Sequence, residues 1–320
     1  RKMHAWVNEI LGKHEIEHVL VYSSAMAQNV MDSKYSFTRK FIDFVDIDYD
    51  NWQQYAEQQS WPLSWLYRRE ARCLLNYEKI LAHEFDVGLF VSSSEAAMFR
   101  ALSPATADKI GFYNNGVNAD YFAPSTARSS PYPSNVVPVV FTGAMDYWPN
   151  VDAVIWFAQE VLPQLRTVHP EVCFYIVGGN PTRAVQKLAD TLGVFVTGRV
   201  EDIRPYTQHA VAAVAPMRIA RGVQNKVLEA MAMEKPVVVS GKGLEGIDAR
   251  HGKEVLVAER SADYVKLLEQ ILTGCFDDMG VAARSYVSQS FNWDENLPEV
   301  VLLLNPEQVL DPQAKAVCSG

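Results

Sequence analysis

The densest run of residues able to do chemistry is RIARGVQNKVLE, Arg218–Glu229, placed just before the apolar stretches AMAM and PVVVS. Gly222 permits a tight loop, and Gln224 or Asn225 can cap a helix that begins there. Unpaired N–H groups and the helix dipole make such a terminus an anion site. Lys226 has the wrong sign for a bare helix N-terminus, so it makes sense if an outside ligand such as a diphosphate supplies the anion. Glu229 follows three residues later on the same helix face, where a carboxylate can accept hydrogen bonds from ribose hydroxyls. The plain alternative is a surface Lys226–Glu229 ion pair, worth only about 0.3–0.5 kcal/mol.

Other candidates are sparser. In Phe44-Val45-Asp46-Ile47-Asp48 the alternation of a strand would point both carboxylates to one side. Asp46 or Asp48 could position a substrate or receive a proton; a metal-binding D-x-D and a plain strand-end cap are the competing readings. Tyr67-Arg68-Arg69-Glu70 and Tyr77-Glu78 could grip a phosphate, though a solvated charged helix face explains them as simply. Trp52, Trp61 and Trp65 fall in one segment and suit a sugar face, a membrane interface or core packing. The seven histidines have no ligand spacing and the four cysteines (Cys73, Cys173, Cys275, Cys318) form no CxxC pair, so neither a metal nor a cofactor is expected.

The elements that must carry these residues are legible in the second half. Short apolar runs near 139–141, 172–177, 194–196, 210–215, 236–239 and 254–257 alternate with helical periodicity near 151–165, 182–192, 202–209 and 224–234, and several runs end at glycine or proline. That alternation predicts a doubly wound parallel sheet buried on both faces. The first 110 residues read the same way less regularly, with strands near 18–22, 41–47 and 87–91 and helices at 3–12, 26–32, 62–84 and 94–101. Residues 114–133, rich in Asn, Ser and Pro, read as a linker. The division expected is a partial first domain at 1–115, a linker at 116–137, a ligand-binding domain at 138–290, and a C-terminal helix or tail at 291–320 packing back toward the first domain.

Composition limits the function. A net charge of −9 argues against a nucleic-acid scaffold. The apolar runs are too short to span a bilayer, no signal peptide is visible, and a reducing cytoplasm fits the cysteines. The chain opens on Arg1 in a helical pattern, from which an upstream segment is expected to be missing.

Taken together, GVQNKVLEAMAMEKPVVVS, the following GLEGI, NGVNADYFAP (115–124), FTGAMDYWPNVDAVIWF, VGGNP, VTGRVED and NWDENL resemble, in order, the family 4 glycosyltransferases of the GT-B fold. The resemblance covers roughly 85–320 and is nearest to the sugar transferases associated with exopolysaccharide and exosortase (PEP-CTERM) systems. It implies a GT-B fold of two Rossmann-like α/β domains facing across a cleft, the first incomplete here. It further implies a retaining, metal-independent transfer from a nucleotide-diphosphate sugar to a glycan or lipid-linked acceptor, in exopolysaccharide or cell-surface glycan synthesis. The cytoplasm, with peripheral association at the inner face of the membrane, is the place expected. Carried over by residue, Glu229 would bind the donor ribose and Lys226 the diphosphate. The Gly243-Leu244-Glu245-Gly246-Ile247 backbone would close on the phosphates, Gly198-Arg199-Val200 would border the nucleobase, and Gly143 would line the phosphate side. Asp46 or Asp48 would stand where relatives often have a His-Asp pair.

Two departures matter. Eight residues before Glu229, where the pattern has a glutamate touching the transferred sugar, stands Arg221; and Ala144-Met145-Asp146 replaces the usual Arg and Lys after the domain's first strand. Arg221 or Arg218 is expected to restore the positive charge. A sugar-nucleotide epimerase of the same fold and a non-catalytic nucleotide-sugar-binding module remain the alternatives.

Overall fold

Runs of four to six apolar, often β-branched residues need cover on both faces, and each such run becomes a parallel strand followed by a helix. The computed structural model of the protein describes residues 2–31, 39–57 and 59–304; Cys318 and the end of the predicted tail lie outside them. The chain divides into two units, 1–115 with 294 onward, and Gly116–Trp293.

In the first unit, helix α1 (Lys2–Lys13) leads to β1 (His18–Tyr22), α2 (Ser24–Ala27), β2 (Arg39–Val45), α3 (Asp48–Glu57), α4 (Leu63–Glu84), β3 (Val87–Phe90), α5 (Ser93–Leu102) and β4 (Ile110–Phe112). The strands form one parallel sheet in the order β1-β2-β3-β4. Its core is aromatic: Phe44 stacks on Phe90 at 5.1 Å and meets Phe99 at 5.4 Å. Helix α5 is held by Ser92, whose Oγ accepts from the Glu95 N–H.

The second unit holds β5 (Val137–Thr142), α6 (Trp148–Trp156), α7 (Leu162–Val168), β6 (Val172–Val177), α8 (Arg183–Lys187), β7 (Val194–Gly198), α9 (Arg204–His209), β8 (Ala212–Ala215), α10 (Asn225–Ala232), β9 (Val237–Val239), β10 (Leu256–Val257), α11 (Ser261–Leu272) and α12 (Met279–Ser290). Its six parallel strands run β10-β9-β8-β5-β6-β7. From β5 the chain winds outward through β6 and β7, then returns to place β8 on the other side of β5, so the winding reverses between β5 and β8. Helix α13 (Trp293–Leu304) starts at the end of this unit, and Asn296 Nδ2 donates to the carbonyl of Asn114 at 3.1 Å within the first.

The fold departs from the sequence reading in several places; the helix expected over 26–32, for one, is only the short α2, and the strand expected over 41–47 ends at Val45. The helix expected over 151–165 is interrupted by a π-turn at Phe157–Val161, because Pro163 in the first turn of α7 has no N–H to give the carbonyl four residues back. The 114–133 stretch has little regular structure, but it is no free linker. Tyr132 is buried in the second unit's core, donates its hydroxyl to the Tyr206 carbonyl at 2.7 Å and packs edge-on against Tyr175. Helices α3, α11 and α12 and strand β4 were not foreseen.

Candidate functional site

In an open parallel sheet, ligands bind beyond the carboxyl ends of the strands, where the winding reverses. In the second unit that crevice lies between β5 and β8, and the loop after β8 runs directly into α10. Gly222 takes φ 62° and lets that loop turn into the helix. The expected cap is not made: Gln224 occupies the N-cap position without a side-chain cap, and its Nε2 donates back to the Arg221 carbonyl at 3.1 Å. Its Oε1 accepts from Lys226 Nζ at 3.1 Å instead. Asn225, the first helical residue, is exposed.

The Lys226 side chain runs back across the crevice. Its Nζ lies 5.4 Å from the centre of the Phe141 ring on β5, and a Cβ built on Gly143 would sit 3.4 Å from its Cε. Burial lowers the ammonium pKa to about 8, and the nearby Glu229 carboxylate offsets only part of that. Burial also raises the Glu229 pKa, against the opposing pull of Lys226. The two groups are therefore electrostatically coupled in partly desolvated surroundings, which a surface ion pair is not.

Glycines end the three strands on the β5 side. The Gly143 N–H donates to the Val177 carbonyl at 3.0 Å, and a Cβ on Gly178 would stand 1.7 Å from the Gly143 carbonyl oxygen, so no side chain fits there. Gly198 closes β7. The exposed Arg199 passes within 3.7 Å of the Cβ position of Gly179, which brings the β6 and β7 loops together, while Val200 packs on the core.

Gly243-Leu244-Glu245-Gly246-Ile247 is a turn with much of its backbone already engaged. The Gly243 N–H donates to Ser240 Oγ at 3.0 Å, and the amides of Leu244, Glu245 and Ile247 donate to the carbonyls of Ser240, Lys242 and Leu244. Both arginines expected to supply charge have carboxylate partners: Arg221 pairs with Glu245, and Arg218 grips Asp152 with Nε at 2.9 Å from Oδ2. Arg221 thus ties the loop before α10 to the turn after β9.

Sequence reasoning missed Asn150. Its side chain is buried against the loop after β5, with Nδ2 donating to the Ala144 carbonyl at 2.9 Å, and its buried Oδ1 has no hydrogen-bond partner. An asparagine behind a proline at a helix start was the only signal, and many plain helix starts share it.

In the first unit, Asp46 and Asp48 come together, but not by strand alternation. Strand β2 stops at Val45, whose φ of 69° is rare for a β-branched residue and coincides with a shift in the β2–β3 register. Asp46 then lies in a bend and Asp48 begins α3, so a turn and a helix start juxtapose them. Burial raises the Asp46 pKa to about 6, helped by the charges of Asp48 and Asp43. Asp48 Oδ2 accepts from Ser24 Oγ at 2.9 Å. Glu78 is fully buried and not on the solvated face expected of it; its Oε1 accepts from the Asp48 N–H at 2.9 Å while Oε2 has no partner. Among the described residues no three His, Cys, Asp or Glu side chains are grouped as a metal ion needs.

Residues 137–274 match the family described as Glycosyl transferases group 1. An uncharacterised 44.6 kDa protein in the cps region of Klebsiella pneumoniae is 23% identical over 136 residues, which are 40% of this chain and 35% of that protein. The match therefore spans about a third of that curated relative. Among solved structures, sucrose-phosphate synthase from Thermosynechococcus elongatus aligns at TM-score 0.77 and 17% identity, covering 97% of this chain and 78% of that one. Anabaena Alr3699/HepE in complex with UDP-glucose aligns at 0.72 and 15%, covering 96% and 82%. A glycosyltransferase from Rickettsia africae aligns at 0.68 and 17%, covering 97% and 82%. The fold is GT-B, as the sequence motifs implied.

Proposed function

We propose that this chain, whose residues 137–274 match the family described as Glycosyl transferases group 1, is a glycosyltransferase that takes its sugar from a nucleotide-diphosphate sugar. The observation that carries this reading is Lys226, a partly desolvated cation at the reversal of the second sheet with Gly143 against its stem and Glu229 one turn on. A diphosphate in the β5–β8 crevice would return the lysine to its ordinary pKa, and Glu229 would take the ribose hydroxyls. Departure of the nucleotide diphosphate builds negative charge on the phosphate that Lys226 meets, so the lysine acts most strongly as the glycosidic bond breaks. A charge-assisted hydrogen bond of about 1.5–3 kcal/mol is worth roughly 10–100-fold in rate.

Retention at the sugar carbon, independence of metal and an exopolysaccharide or lipid-linked acceptor complete the reading. They rest on the motif resemblance, with the cps-region relative in support of the acceptor class. UDP and UDP-glucose in the HepE structures make a uridine nucleotide the first donor to try. For the acceptor's proton, Asp46 is the carboxyl whose surroundings suit it to proton uptake near neutral pH. Action at the cytoplasmic face of the membrane belongs to the same reading and rests on the same resemblance.

Arg221 in place of the expected sugar-contacting glutamate, already paired with Glu245, favours a second reading in which the domain binds a nucleotide sugar without transferring it. Titration calorimetry with UDP, GDP and ADP, followed by turnover of the matching nucleotide sugars, separates the two. Binding with turnover supports transfer and binding alone supports the module. Binding of none of the three, with Lys226→Ala unchanged, sinks the donor site.

A further inference from the structure

The start of α4 carries a cluster that the donor site does not use. Trp61 is 81% exposed, Trp65 57%, Leu63 45% and Leu66 40%, a concentration of bare apolar surface within six residues. The buried side of the same helix is set by Ser64, Ala71, Glu78, Leu81 and Ala82, so these side chains point away from the body of the unit. Trp52, the third tryptophan of the segment, packs against Tyr55 and Tyr67 and takes no part. Immediately after the apolar tip come the exposed Arg68, Arg69 and Arg72, against the single acid Glu70, in a chain whose net charge is −9.

The order of these residues fits one kind of partner. At about 1.5 Å per residue, the arginines follow Leu63 by roughly 8–14 Å along the helix. That spacing lets an apolar tip enter the outer acyl boundary of a bilayer, usually to ~5–10 Å, while guanidinium groups stay level with lipid phosphates. Indole rings favour the same zone. A second copy of the chain fits less well: four side chains fall short of the ~800 Å² per partner of a stable interface, and a two-fold contact would set the arginine collar against itself.

We propose that Trp61, Leu63, Trp65 and Leu66, with Arg68, Arg69 and Arg72 behind them, dock the protein on a membrane surface bearing anionic phospholipid. This deepens the lipid-linked acceptor reading, but the test needs neither donor nor acceptor, so the two can fail separately.

The full chain is sedimented with vesicles of phosphatidylcholine alone and of phosphatidylcholine with phosphatidylglycerol, at low and high salt. Binding is expected on the anionic vesicles and should weaken with salt. The double variant W61S/W65S should lose about tenfold in partitioning. R68Q/R69Q/R72Q should lose the preference for phosphatidylglycerol, at about fivefold per arginine. Unchanged melting temperatures and nucleotide affinity would show that both variants keep the fold. The proposal is overturned if the wild-type chain does not sediment, if the variants bind as it does, or if W61S/W65S abolishes self-association of a chain that ignores lipid.

Discussion

A lysine held where water is scarce keeps its proton near neutral pH only by a narrow margin, and Lys226, lowered to about 8, is in that position. Since the charged form is the one a diphosphate needs, the sign of the pH effect follows. Nucleotide diphosphate affinity should be nearly constant below pH 7 and fall above about 8, by up to tenfold per unit, while binding below that takes up little proton. Lys226→Met should lower affinity roughly 10–100-fold at neutral pH and flatten the profile. Calorimetry across pH in buffers of different ionisation enthalpy checks both; a wild-type profile with no break near 8 would remove the lysine from the phosphate. This residue was legible in the sequence because a cation at a helix start is out of place on local grounds. Asn150 and Glu78 were not, because what marks them is burial with one oxygen unsatisfied, and burial is decided by segments far away in the chain.

At the scale of elements, α4 supplies the cap of α3. Glu78 accepts from the Asp48 N–H, so a carboxyl from one helix meets the N-terminus of another, while burial and the Asp48 charge raise its pKa to about 8. The folded pKa lies above the ordinary 4.5, so the contribution of this group to stability is greatest below about 4.5 and is lost as pH rises towards 8. Glu78→Gln keeps the accepting oxygen and cannot ionise. It should leave the melting temperature unchanged at pH 4.5 and raise it at pH 8, by the equivalent of roughly 2–4 kcal/mol. Glu78→Leu removes the cap and should destabilise at both, by about 1 kcal/mol beyond any packing change. Thermal melts across pH decide it, and a Gln variant less stable than wild type at pH 8 would refute the assignment. Strands such as Val172–Val177 could be read from the sequence almost to the residue, since a continuous apolar run bounded by glycine is a local signal. The pairing of α3 with α4 could not, because Tyr77-Glu78 looks like any charged helix face until a second helix lies over it. The end of β2 misled for a related reason: the left-handed Val45 breaks the alternation on which side-chain direction was argued.

At the scale of the whole molecule, the two units have separate hydrophobic cores, and the second extends beyond the segment that matches the glycosyl transferase family at both ends. The family match runs over 137–274, yet Val117 and Tyr132 before it, and Met279, Ala283, Val287 and Phe291 after it, are buried in the same core. Trp293 lies over Gly116 so closely that a Cβ there would come 2.4 Å from the indole, and the Val117 N–H donates to the Phe291 carbonyl at 2.9 Å, so the two ends of the unit clasp each other. Burial of each large apolar side chain is worth about 1.5–3 kcal/mol, so trimming to the matched segment removes an amount comparable to the usual margin of roughly 5–15 kcal/mol. A chain of residues 116–293 should therefore fold cooperatively and keep nucleotide affinity within a few-fold of the full protein, whereas 137–274 should be unfolded or insoluble. Circular dichroism melts and nucleotide titration of the two fragments test this. If 116–293 folds but binds no nucleotide that the full chain binds, the first unit must supply part of the donor site, and Lys226 and Glu229 alone are insufficient. If 137–274 folds as well as 116–293, the clasp at Gly116 and Trp293 adds nothing, and the boundary belongs at the ends of the family match.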